Sequence, residues 1–271
     1  MAYHLGCLRT LNRLGILDRA RVISAVSGGS VIAAMYAAHG GTFEHFEEDV
    51  RSILRTGFVH PALKVALTTT EGPKAVLCVC LMTLTWLWSI PVRLATTCFS
   101  SLSRGDDATP RPKASSWAPR RFASRTTILR RAIDDKLFHG FTFDRLRKDR
   151  PQLLVVAAEL RTGSAFYFGQ RGAGSWRFGR IEAGKTLLAQ AVAASAAYPM
   201  FLPALDEMMT FHKKDGSLVA ERVTLSDGGV YDNLGLSPLW PDRVKDVSVF
   251  VEEIDTIIAC KAGYGLRLGA R

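Results

Sequence analysis

One stretch restricts the fold of this chain more than any other. Residues 21–38 read RVISAVSGGSVIAAMYAA. Arg21–Val26 is short and apolar, as a strand buried in a parallel sheet is. Ser27-Gly28-Gly29-Ser30 makes a tight turn, and a helix of small residues then runs toward Gly40. Strand, turn and helix in this order belong to an α/β layered fold. A serine on such a turn is held in a strained backbone conformation and pushed above the sheet edge. The residues two before and two after it must be small, and Ala25 and Gly29 meet that need. The helix N-terminus points at Ser27, so the backbone N–H groups of Gly28 and Gly29 favour negative charge developing there. Without context the same string is a glycine turn with Ser27 as helix cap. The flanking strand and helix are the context that a nucleophile requires. Ser24 lies inside the strand and Ser30 within the first helical turn, which makes both poorer candidates.

A serine nucleophile needs a base. His39, His45, His60, His139 and His212 all follow the turn, but none stands in a stretch that reads as a catalytic loop. The sharper signal is LSDGGVYDNLG, Leu225–Gly235. Val223–Ser226 reads as a strand, and Asp227 at its end is followed by Gly228 and Gly229, which let another backbone or a substrate come close. A shielded carboxylate can take a serine proton directly. Asp-Gly alone more often marks a turn between strands. Asp232 is the competing carboxylate, placed in the turn beyond, where a capping role is expected.

The rest of the chain alternates helices and strands. Leu5, Leu8, Leu11 and Leu14 share a helix face that ends at Gly15. TTILRRAIDDKLF has helical spacing, Gln152–Leu160 and Ala165–Gly169 read as strands about a turn at Arg161-Thr162-Gly163, and Thr186–Ala197 is an alanine-rich helix. The pattern predicts an α/β fold with a mainly parallel central sheet. The 271 residues, 48% hydrophobic and 22% charged, suit a single domain over 1–271.

An insertion at about 58–123 interrupts that domain, apolar first and basic after. Residues 75–92 carry no charge, a length at the lower limit for crossing a bilayer, with Trp86 and Trp88 as interfacial anchors. The alternative is a buried hairpin of helices over the core. Residues 100–123, rich in Ser, Pro and Arg, read as a loop. The net charge is +10, and between Arg93 and Arg131 there are nine Lys/Arg against Asp106 and Asp107. No zinc-finger spacing or RNA-recognition signature supports a nucleic-acid partner. A basic stretch, 93–131, beside an apolar one, 75–92, suits a membrane surface, and a solvated loop with no partner is the plain alternative. Five cysteines, odd in number and without metal-ligand spacing, point to reduced thiols in a cytoplasmic setting. With the stretches 75–92 and 93–131, the expected location is cytoplasmic and membrane-associated. The start MAYHLGCLRTLNRLG has no signal-peptide pattern.

Taken together, AVSGG at Ala25–Gly29 and DGG at Asp227–Gly229 resemble the paired motifs of the patatin-like phospholipase family. HLGCLRTLNRLGILDR before the first strand, AVAASAAYPMFLPAL at Ala191–Leu205 and the continuation DGGVYDNLG extend the resemblance over most of the chain outside the insertion. It implies a three-layer α/β/α sandwich and a Ser-Asp dyad in which Ser27 attacks an ester carbonyl of a phospholipid or other lipid. Asp227 would take the serine proton and later activate water, with no metal or organic cofactor. The family's glycine-rich oxyanion loop precedes its first helix, and this sequence opens in that helix, so the N-terminal strand and loop are expected to be missing and Gly28 to carry the oxyanion. A catalytically impaired homologue with a membrane-association or protein-interaction role is the alternative function, and an esterase using a histidine is a third.

Overall fold

A computed structural model describes residues 1–102, 120–182, 186–213, 215–240 and 254–262, with side chains of 91–102 outside the description. The helices are α1 (Ala2–Arg13), α2 (Gly28–Ala38), α3 (Phe43–Thr56), α4 (Val59–Thr68), α5 (Glu71–Leu102), α6 (Arg125–Ile133) and α7 (Leu188–Ser195). The strands are β1 (Val22–Val26), β2 (Gln152–Glu159), β3 (Ser164–Gly169), β4 (Gly172–Ser175), β5 (Gly179–Ile181), β6 (Leu205–His212) and β7 (Leu218–Asp227).

The α/β class holds, but the expectation of a mainly parallel sheet is corrected. Among the described residues only β1 and β2 pair in parallel; β2–β3, β3–β4, β4–β5, β5–β6, β6–β7 and β2–β7 are antiparallel. The reason is connection length. A parallel neighbour needs a crossover of a dozen residues or more. The stretch from Val26 to Gln152 supplies one through α2–α6, whereas β2–β3, β3–β4 and β4–β5 are joined by a few residues each. Gly163, at φ 62°, closes the first of these hairpins in the left-handed region. The antiparallel pairings run in a closed circuit from β2 through β7 and back to β2. Its interior holds Phe166, Phe168, Phe178 and Phe211, with the Phe178 and Phe211 rings stacked at 5.4 Å.

The edge of β2 opposite β3 is shared. β1 covers it from Gln152 to Val156, and β7 covers it from Ala157 to Glu159. Because β1 runs parallel to β2 and β7 antiparallel, the two strands approach head-on and their C-terminal ends meet over Val156 and Ala157. This register places the site.

Helix α2 stands between two packed layers. Val31, Ala34 and Ala37 join the main core with α7 and the sheet, while Ile32 and Tyr36 face Leu5, Phe43, Phe46 and Val50 of α1 and α3. Alanine at so many α2 positions lets the helix lie close to the strands. In α3 the apolar residues Phe43, Phe46, Val50 and Ile53 recur at helical spacing and are the four buried ones. On the other face of β2, Leu154 packs with Leu239 beside Val22, Tyr167 and Ile254.

In the insertion, the apolar run forms part of one continuous helix, α5, not a buried hairpin. Cys78 is buried, but Val76, Leu77, Val79, Leu84, Trp86, Leu87 and Trp88 are exposed. Most of the segment read as a loop, 103–119, lies outside the described residues. Cys7, Cys78, Cys80 and Cys260 are free thiols.

Candidate active site

Ser27 closes β1 and caps α2 with φ 53° and ψ −131°. That is a left-handed region a non-glycine residue enters at a cost of about 1–3 kcal/mol, so the surroundings must hold it. They do so from both sides. The Ser27 N–H donates to Ser195 Oγ at 2.9 Å, and Ser195 Oγ in turn donates to Val156 O at 2.7 Å. Ser30 donates from both its N–H and its Oγ to Ser27 O, at 3.0 and 2.6 Å. The serine is thus fixed to α7, β2 and α2 at once.

The side chain of Ser27 points at the end of β7. Its Oγ donates to Asp227 Oδ2 at 2.6 Å. Asp227 is 4% exposed, and its other oxygen, Oδ1, accepts from Gly229 N–H at 2.7 Å. Its own N–H donates to Ala197 O at 3.1 Å. Both carboxylate oxygens are therefore directed, one by the turn and one toward the serine. Gly228 has to be glycine, because a Cβ there would lie 2.3 Å from Val156 O. At Gly229 a Cβ would stand 3.0 Å from Asp227 Oδ1 and 3.1 Å from Asn233 Oδ1.

The other candidate residues have separate work. Ser24 Oγ donates to Gly235 O at 2.6 Å. Asp232 accepts from the N–H groups of Leu234, Gly235 and Ser237, at 3.2, 2.9 and 2.6 Å, and so shapes the loop after the DGG turn. Ala25 is buried in the strand as the small residue before Ser27. Gly28 and Gly29 open α2, where N–H groups have no carbonyl of a preceding turn to bond. His39 lies at the far end of α2, accepting from Gly41 N–H and facing Asp49 at 3.3 Å; His212 faces Glu182 at 3.6 Å on the end of β6.

Two residues were not singled out from the sequence. Ser195 is one serine in a run of alanines, and only its position on the helix face toward β1 gives it meaning. His4, on α1, lies over Gly29, with its Nε2 3.5 Å from where a Cβ would be. Burial lowers its pKa, and its Nδ1 is buried with no hydrogen-bond partner among the described residues. The leucine spacing of α1 hinted at a buried face but not at this neighbour.

Beside the elbow, between α1, β1 and the segment 254–260, lies a cleft of about 680 Å³. Leu8, Leu11, Ile23, Ile32 and Ile257 give it apolar walls, and Val26 and Gly29, which flank Ser27 in sequence, also line it, whereas Ser27 itself does not. Burial, with a hydrogen bond to Cys7, pushes the Cys260 thiol in its wall up to about 11, so it stays protonated at neutral pH and is a poor nucleophile.

A serine in an elbow, bonded to a buried aspartate of a DGG turn, is the pairing that the sequence resemblance pointed to. A family model for patatin-like phospholipase matches residues 1–240. The chain belongs to that family. A search of curated proteins found no match. As a patatin-like phospholipase domain, the matched region takes in α1, the elbow, the DGG turn and the whole insertion, α4 and α5 included. The family's general chemistry is lipid acyl hydrolysis. Among the described residues no group of His, Cys, Asp and Glu is placed to hold a metal ion.

Proposed function

We propose that this protein is a serine acyl hydrolase that cleaves ester bonds of phospholipids or other lipids, with Ser27 as nucleophile and Asp227 as general base. The observation that carries the reading is the 2.6 Å bond from Ser27 Oγ to a carboxylate that is almost wholly buried. Low local polarity strengthens that bond, and the second carboxylate oxygen is tied to Gly229 so that the first stays aimed.

In the proposed first step Ser27 Oγ attacks the ester carbonyl carbon as its proton passes to Asp227 Oδ2. The carbonyl oxygen becomes an oxyanion beside the N–H groups of Gly28 and Gly29 at the start of α2. Collapse of the tetrahedral species breaks the acyl C–O bond. The proton on Asp227 goes to the departing alcohol, and the acyl group stays on Ser27. Water then gives a proton to Asp227 as it attacks the acyl carbon, and collapse breaks the Ser27 Oγ–acyl bond, releasing the fatty acid as that proton returns from Asp227 to Ser27 Oγ. The cleft between α1 and β1 takes the acyl chain in this scheme. The enzyme meets its substrate at a lipid surface on the cytoplasmic side, through the apolar stretch 75–92 and the basic stretch 93–131.

The test is turnover of a short p-nitrophenyl ester by the wild-type protein and Ser27→Ala. Hydrolysis that disappears with Ser27→Ala supports the reading. Equal inertness of both proteins rejects it and favours the impaired homologue with an associating role.

A further inference from the structure

Helix α5 takes no part in the proposed chemistry, and its surface is unusual. Exposure is 61% at Leu84, 59% at Trp86 and 81% at Trp88, and so many bare apolar side chains close together mark an interaction surface. Its stretch Glu71–Ile90 spans 20 residues, about 30 Å, which equals the hydrocarbon thickness of a bilayer. By length alone it could cross one.

The fold around it speaks against crossing. The chain enters α5 from α4 and leaves it toward α6, and α4 and α6 pack against each other. Lys136, just after α6, donates to Thr56 Oγ1 at 2.7 Å and to Gly57 O at 2.9 Å, just before α4. Both ends of the excursion therefore belong to one body on one side. The root of α5 is fixed as well: a Cβ on Gly72 would lie 1.9 Å from Ala66 O, so α4 and α5 touch backbone to backbone at their turn. Were α5 to cross, the sequence after it would have to return through lipid with Arg104, Asp106, Asp107, Arg111 and Lys113. Each charge at the bilayer centre costs about 2.5–3.5 kcal/mol.

We infer that α5 is an in-plane arm that beds its exposed face, Val79–Trp88, into the surface of an anionic bilayer without spanning it. Trp86 and Trp88 sit at headgroup depth, where amphipathic rings are favoured. The charge of the neighbouring sequence selects the lipid: of the nine Lys/Arg between Arg93 and Arg131, Arg120 and Arg130 pair with Glu207 and Arg131 with Asp135, and the other six still outnumber the two Asp of that stretch and match an anionic surface. This rests on the lipid reading of the protein but is read out by binding, not by turnover.

The experiment is sedimentation of the full chain with vesicles of phosphatidylcholine alone or mixed with phosphatidylserine, beside the double variant L84E/W88E. Both substituted residues are exposed, so the variant should keep its fold and its hydrolysis of a soluble ester. The wild type should sediment with the mixed vesicles, and the variant should bind them at least about tenfold less, since two charges would enter the apolar layer. Quenching by brominated lipids should be strongest for bromine near the headgroup, and should be lost in W86F/W88F. Wild-type protein that stays in the supernatant overturns the proposal. So does equal or stronger quenching by bromine at the bilayer centre, which means a span, or a dimer that L84E/W88E dissolves without any lipid binding, which means a second copy covers the helix. A protein that binds vesicles but hydrolyses nothing leaves the arm standing and removes the hydrolase reading.

Discussion

Ser27 and Asp227 lie 200 residues apart in the chain and share a 2.6 Å hydrogen bond. They meet because β1 and β7 run head-on along one edge of β2, where Val26 pairs with Val156 and Asp227 with Ala157. Consecutive residues of a third strand thus set the separation of the two groups. Neither a flexible loop nor a ligand is needed to assemble the pair.

Asp227→Asn removes the proposed base but keeps the shape. An amide can still accept from Gly229 and face Ser27, so the fold should persist. Turnover of a p-nitrophenyl ester should fall by about 10²–10⁴, the usual share of general base catalysis. Circular dichroism and a thermal melt close to wild type would assign that loss to chemistry.

Ser195→Ala tests what holds the elbow. The substitution leaves the Ser27 N–H without its 2.9 Å acceptor in a partly buried place. A loss of about 1–3 kcal/mol in unfolding free energy is expected, the cost of an unsatisfied buried donor. Turnover should fall as well, because the backbone at φ 53° loses its brace. Denaturant titration and the same ester assay read the two effects separately.

Asp206 gives the fold an acid-sensitive joint. Burial pulls its carboxyl up, but the 2.7 Å bond from Arg222 Nε and the 3.0 Å bond from Arg121 N–H outweigh it, and the pKa lies below the ordinary value. A depressed folded-state pKa contributes stability above the unfolded value of about 3.9, lost as pH falls through the folded value. Asp206→Asn should therefore lower the melting temperature at neutral pH. The gap from wild type should narrow as the pH falls below about 4. Melts across an acid pH series measure it.

The site was more legible in the sequence than the sheet. The elbow and the DGG turn each obey a local rule, small residues around a strained serine and glycines where backbones approach, and local rules leave marks in sequence. Gly228 shows this, with Val156 O only 2.3 Å from where its Cβ would be. Strand direction is set by connections and partners that no single stretch encodes. The alternation of helices with strands around Gln152–Leu160 predicted a parallel sheet, and the short hairpins after β2 overruled it. Ser195 and His4 escaped notice for the same reason, since their meaning lies in what other elements bring beside them. Helix α5 was legible as apolar, but its continuity and its exposure belong to the fold.

The central claim is that Ser27 is a nucleophile activated by Asp227. A fluorophosphonate probe forms a covalent bond only with an activated serine, so labelling followed by peptide mass mapping tests it without choosing a lipid. One adduct is expected, on the peptide containing Ser27, absent in Ser27→Ala and strongly slowed in Asp227→Asn. Absence of any adduct from the wild-type protein, or an adduct on another serine that persists in Ser27→Ala, would contradict it.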